Sequence, residues 1–71
     1  MTNHTVVKHI TNIGSSSTYT IELNVVKWGK NPEKYDIRKW VSGEPLKGIC
    51  LDQEEATILY YALGKELNLS N

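Results

Sequence analysis

Lys34-Tyr35-Asp36-Ile37-Arg38-Lys39-Trp40 is the stretch whose reading decides the fold. Alternate residues of an extended chain point to opposite sides, so a period of two gives this run two faces. Tyr35, Ile37 and Val41 lie on one side, interrupted by Lys39. Asp36, Arg38 and Trp40 lie on the other. The first side is apolar enough to face a core. The second sets a guanidinium beside an indole, an arrangement suited to an extended anion with stackable rings. A competing reading makes Trp40 a packing residue, the commoner fate of a strand tryptophan.

Outward from this strand, the flanking segments read as its neighbours. Thr18 to Trp28 alternates, with Tyr19, Ile21, Leu23 and Val25 on an apolar side. Thr20, Glu22, Asn24, Val26 and Trp28 form the other side. Thr5 to Ile13 is rich in Val, Ile and Thr and reads as an earlier strand, although its alternation is poor. Lys47 to Leu51 reads as a short fourth strand. Turn-forming residues separate these runs: Gly14-Ser15-Ser16-Ser17, Gly29 to Glu33, and Ser42-Gly43-Glu44-Pro45. Short connections predict antiparallel pairing of successive strands.

A helix is predicted from Asp52 onward. Asp52 followed by Glu55 makes a capping-box pattern. Ala56, Leu59, Tyr60, Leu63 and Leu67 recur at helical spacing, and Ile58 and Ala62 widen the apolar stripe. One side of such a helix can cover the sheet. The surplus calls for a further partner, for which a second copy is the simplest candidate.

The chain has 71 residues, which fits one domain spanning 1–71. A domain this small has a marginal core and usually needs a staple. Cys50 is the only cysteine, so an intrachain disulfide is excluded. His4, His9 and Cys50 lack the short paired spacing of a zinc site. Oligomerisation is the staple that remains. A lone cysteine fits a reducing compartment. No secretory signal and no long apolar run is visible, so the expectation is a soluble, cytoplasmic protein without a membrane partner.

Formal net charge is zero, but the charge is segregated. Residues 1 to 51 carry +3, and residues 52 to 71 carry −3. No phosphate loop, catalytic triad or cofactor motif is present, so neither enzymatic activity nor a cofactor is expected. Lys27, Trp28, Lys30, Lys34, Arg38, Trp40 and Lys47 are the candidate nucleic-acid-binding residues. Ile58, Leu59, Ala62 and Leu63 are the candidate dimer interface.

Several of these residues carry a resemblance: Glu22-Leu23-Asn24, Trp28, Tyr35 to Trp40, Lys47-Gly48-Ile49-Cys50-Leu51 and Glu54-Glu55. Together they resemble the positive-cofactor-four family of single-stranded-DNA-binding transcriptional coactivators, and within it the short bacterial branch. The resemblance covers about residues 18 to 67. It implies an α+β fold, in which a curved four-stranded antiparallel sheet is followed by one C-terminal helix. It also implies a homodimer built through the helices, binding single strands with little sequence preference. Arg38 and Trp40 match the family's binding arginine and aromatic, Trp28 its stacking aromatic, and Lys47 the lysine before Gly-Ile. The chain departs from the pattern at Leu46, where basic relatives have a second cation. It departs again at Cys50, usually Ser or Thr, and at Ala56, often a large aromatic. The function so implied is single-stranded-DNA binding in transcription regulation or DNA maintenance. The alternatives are RNA binding, or a protein-interaction module of the same fold docking on transcription machinery.

Overall fold

A computed structural model describes residues 3–69. Four strands are followed by one helix: β1 (His4–Ser15), β2 (Thr20–Trp28), β3 (Lys34–Val41), β4 (Glu44–Leu51) and α1 (Gln53–Glu66). The strands form a single open antiparallel sheet in the order β1-β2-β3-β4. The expected strand order and helix are therefore present. β4 begins earlier than the sequence suggests, because Ser42 and Gly43 alone make the turn. Both have positive φ, 51° and 78°, and Val41 pairs directly with Glu44. This two-residue turn with left-handed backbone matches the twist of a hairpin and suits glycine at its second position. Pro45 is tolerated inside β4 because β4 is an edge strand.

The poor alternation of β1 has a physical origin. Its register against β2 shifts between Val6 and Lys8, between His9 and Thr11, and between Asn12 and Gly14. Each shift leaves one β1 residue unmatched: Val7, Ile10 or Ile13. Three of the four large apolar residues of β1 thus recur every third position, with a bulge at each, and only Val6 falls outside the pattern. Bulges bend an edge strand and sharpen its twist.

The sheet is strongly curled. Thr20 and Trp28 stand at opposite ends of β2, about 26 Å apart if the strand were flat. Trp40 pairs with Thr20, and His4 pairs with Trp28. Yet the His4 ring lies 5.5 Å from the Trp40 ring. Only a sheet that folds its two ends toward each other permits this contact. The concave side carries Glu22, Asn24, Val26, Trp28, Asp36, Arg38 and Trp40.

That curvature corrects an expectation about the core. The face read as apolar and core-facing, with Leu23, Val25, Tyr35 and Ile37, is only half-buried. The deepest residues are Asn24, Val26, Asp36 and Trp40, all on the face read as polar. The alternation was assigned to the right residues, but curvature buries the opposite side.

α1 opens on the expected capping box: Glu55 N–H donates to the Asp52 carboxylate at 2.8 Å, and Asp52 N–H donates to the Glu55 carboxylate at 2.9 Å. It closes with Asn68 in the left-handed region (φ 61°). Leu69 N–H then reaches the Gly64 carbonyl, and Asn68 N–H reaches that of Lys65. The helix touches only β3 and β4, and none of its residues is buried. The radius of gyration is 13.2 Å, against about 11 Å for a compact chain of this length. No helix among the described residues is long and apolar enough to cross a membrane.

Candidate nucleic-acid interface

Asp36 is the centre of the concave face. Its i, i+2 spacing to Arg38 sets both on one side of β3, and pairing brings Cys50 directly opposite. The Asp36 carboxylate is fully buried and accepts four hydrogen bonds. Arg38 donates through Nε at 2.7 Å and Nη2 at 2.8 Å, Trp28 through Nε1 at 3.1 Å, and Cys50 through its thiol at 3.2 Å. A buried charge persists only when paired and bonded in this way. Burial is the largest single influence on Asp36 and pushes its pKa up. The bonds from Arg38, Cys50 and Trp28, with the Arg38 charge, outweigh it and hold the carboxyl below its ordinary value. The Asp36 bond in turn raises the Arg38 pKa against the effect of burial. Burial, followed by the bond to Asp36, pushes the Cys50 thiol up.

Arg38 is thereby a clamp. Its side chain is 13% exposed. Nη1 donates to the Leu46 carbonyl at 2.8 Å, and the guanidinium sits 4.6 Å from the Trp28 ring centre. This arrangement needs Gly48, which pairs with Arg38. A Cβ at Gly48 would run into Arg38 Cβ and the Ile37 carbonyl oxygen. The Lys-Gly-Ile motif thus marks a place where two strands approach too closely for a side chain.

Trp40 is 7% exposed, and its indole N–H has no acceptor among the described residues. This corrects the expectation of an open stacking surface shared by Arg38 and Trp40. One ring is buried and the cation is committed internally. This burial is what the competing reading of Trp40 as a packing residue expects. Trp28 remains half-buried.

A second polar chain runs along the same face. His9 Nδ1 and Asn24 Oδ1 are 2.6 Å apart, Asn24 Nδ2 donates to Glu22 at 3.2 Å, and the Thr20 hydroxyl donates to Glu22 at 2.6 Å. The Thr20 bond is the main cause of a lowered Glu22 pKa. Burial opposes it, and Asn24 and the His9 charge add to it.

The curl leaves a groove of about 1120 Å³ between the two ends of the sheet. His4, Trp28, Asn31 and Lys34 line one end, Glu44 and Pro45 the other, and Arg38 and Cys50 the floor. Trp28, Lys34 and Arg38 are therefore brought together as expected. Lys27 is not, because it alternates with Trp28 and falls on the opposite face, paired with Thr5. Lys30 lies exposed in the turn after β2. Lys47 lies exposed beside a register shift that faces Lys39.

The sequence reading weighed His4 and His9 only as metal ligands. Both sit in paired positions of β1, and His4 contacts two tryptophans, at 5.1 Å from Trp28 and 5.5 Å from Trp40. Only the curl brings them there, so no local pattern signals it. The Asp36-x-Arg38 spacing opposite Gly48 and Cys50 was the one legible sign of the clamp. Comparison with protein-family models and with curated proteins finds no match to this chain.

Proposed function

We propose that the chain binds single-stranded nucleic acid, DNA in the first instance, as a homodimer without enzymatic activity. The observation that carries this reading is the groove lined by the Trp28 ring and the cations of Lys34 and Arg38. Unpaired bases stack on aromatic rings, and the phosphates between them seek cations. A duplex hides its base faces and gains nothing from such rings. The likeness to the positive-cofactor-four family supports the same reading and suggests a role in transcription regulation or DNA maintenance. Trp28 and Lys34 carry contact with the strand in this proposal, with Lys30 and Lys47 at the rim. Arg38 shapes the groove and holds Trp28, since most of its N–H groups already have partners.

The dimer is proposed from α1. Ile58, Tyr61 and Leu63 are 63%, 66% and 49% exposed on a helix with no fully buried residue. With Leu59 and Ala62 they offer an apolar surface to a second copy, which would also cover the half-buried convex face of the sheet. Two copies double the binding surface by avidity.

The test is a fluorescence titration of thymine oligomers, matched duplex and RNA at several salt concentrations. Quenching by the single strand, with affinity falling as salt rises, is the expected result. Equal affinity for duplex contradicts stacking. Sedimentation at micromolar concentration should give about twice the chain mass. A folded monomer there would sink the dimer.

A further inference from the structure

We propose that the His4 imidazole is a plug, occupying between Trp28 and Trp40 the place that an unpaired base takes when a strand binds. The inference rests on reading the groove as a base-binding site. Three observations carry it. The His4 ring contacts both indoles, at 5.1 Å and 5.5 Å, and lines the groove. Trp40 is nine-tenths buried, yet its indole N–H lacks an acceptor among the described residues. A buried donor left unpaired is unfavourable, so an arriving group that offers a carbonyl or ring-nitrogen acceptor improves on the closed state. The hold on His4 is also short. β1 pairs regularly with β2 only over His4, Thr5 and Val6 before the first bulge at Val7, and one further bond joins Gly29 N–H to the Asn3 carbonyl. An edge strand so interrupted can release its first residues without unpairing the rest.

In this scheme the free protein is predominantly closed. Its apparent affinity is reduced by the fraction of molecules in which His4 is withdrawn. The start of β1 then competes with the strand for the two rings.

The experiment titrates thymine oligomers into wild-type protein, His4→Thr and His4→Phe at one salt concentration. Thr keeps strand propensity and removes the ring. His4→Thr should bind at least about threefold tighter than wild type, and its free-state tryptophan fluorescence should be more strongly quenched by acrylamide. His4→Phe keeps a ring in place and should bind no tighter than wild type. Strand binding by His4→Thr alone also supports the plug. Equal or weaker binding by His4→Thr, or tighter binding by His4→Phe, overturns the plug while leaving strand binding intact. If neither wild type nor His4→Thr binds, the nucleic-acid reading fails and the plug fails with it. NMR of the wild-type protein decides the matter should His4→Thr not fold. On saturation with the oligomer, the His4 ring protons should lose the shift imposed by the two indoles. Retention of that shift with the strand bound overturns the plug.

Discussion

The concave face of the sheet and the helix invert the usual arrangement of a small domain. On the concave face polar residues are withdrawn from water and bonded: Asp36 accepts from Trp28 and Arg38, Arg38 lies against the Trp28 ring, and the buried Asn24 bonds His9 and Glu22. On the helix, apolar residues are exposed: Ile58, Leu63 and Leu67 are 63%, 49% and 62% exposed. The first region is self-contained, because its geometry is closed by the curl and by the Asp36 network. The second is incomplete, because apolar area left in water contributes no stability. The contrast teaches where each kind of chemistry resides. The shape of the groove belongs to the single chain, whereas the proposed dimer would supply hydrophobic stabilisation that the helix lacks on its own.

The comparison breaks most sharply at its polar centre. Asp36→Ala leaves the Arg38 guanidinium largely buried without its carboxylate, and should cost about 3–5 kcal/mol. Trp40→Ala opens a cavity of large-aromatic size in the same region and should cost a similar amount, about 3–5 kcal/mol. Urea titrations followed by circular dichroism measure both. If either variant is as stable as wild type, the concave face is not the core.

Gly48→Ala tests the close approach of β4 to β3 without changing charge. The added methyl meets backbone as well as the Arg38 stem, so relief requires the strands to part. A loss of about 3 kcal/mol is expected, the upper part of the range for overpacking. A thermal melt unchanged from wild type would contradict the Arg38 clamp.

Leu63→Ala examines the other side of the comparison. An exposed leucine on an isolated helix should matter by no more than about 0.5 kcal/mol. Coverage by a second copy predicts about 2 kcal/mol, with a melting temperature that rises with protein concentration. Absence of any concentration dependence would assign the helix to a different partner.

Acid is the mildest perturbation. Asp36 and Glu22 both titrate below their ordinary values of 3.8 and 4.5 when folded. A depressed carboxylate stabilises the fold above its unfolded pKa, and that contribution disappears as pH falls through the folded value. Melting temperature should therefore hold from neutrality to about pH 5 and decline below about pH 4. Glu22→Gln should make the decline shallower. A melting temperature that rises on acidification reverses the sign and removes both networks from the account.

Much of this was written locally. The Ser42-Gly43 turn, the capping box from Asp52 to Glu55, and the alternation of β2 and β3 each depend on residues within a few positions, and all are present. The bulges of β1 were visible only as failed alternation. Val7, Ile10 and Ile13 recur every third residue, a spacing that suits neither a flat strand nor a helix. The candidate site was legible in part. Trp28, Lys34 and Arg38 do share one groove, but Lys27 faces away and Trp40 is sealed.

What the sequence by itself determined is the set of elements and the division of each strand into two faces, because hydrogen-bond geometry and side-chain alternation act over one to four residues. Which of those faces would be buried was decided by the tertiary structure alone. Curvature is a sum over four strands and the bulges of an edge, and it folds one end of the sheet onto the other. That sum places His4 against Trp40 across 36 residues of sequence, turns Arg38 from an open cation into the clamp of a buried carboxylate, and leaves the apolar helix outside.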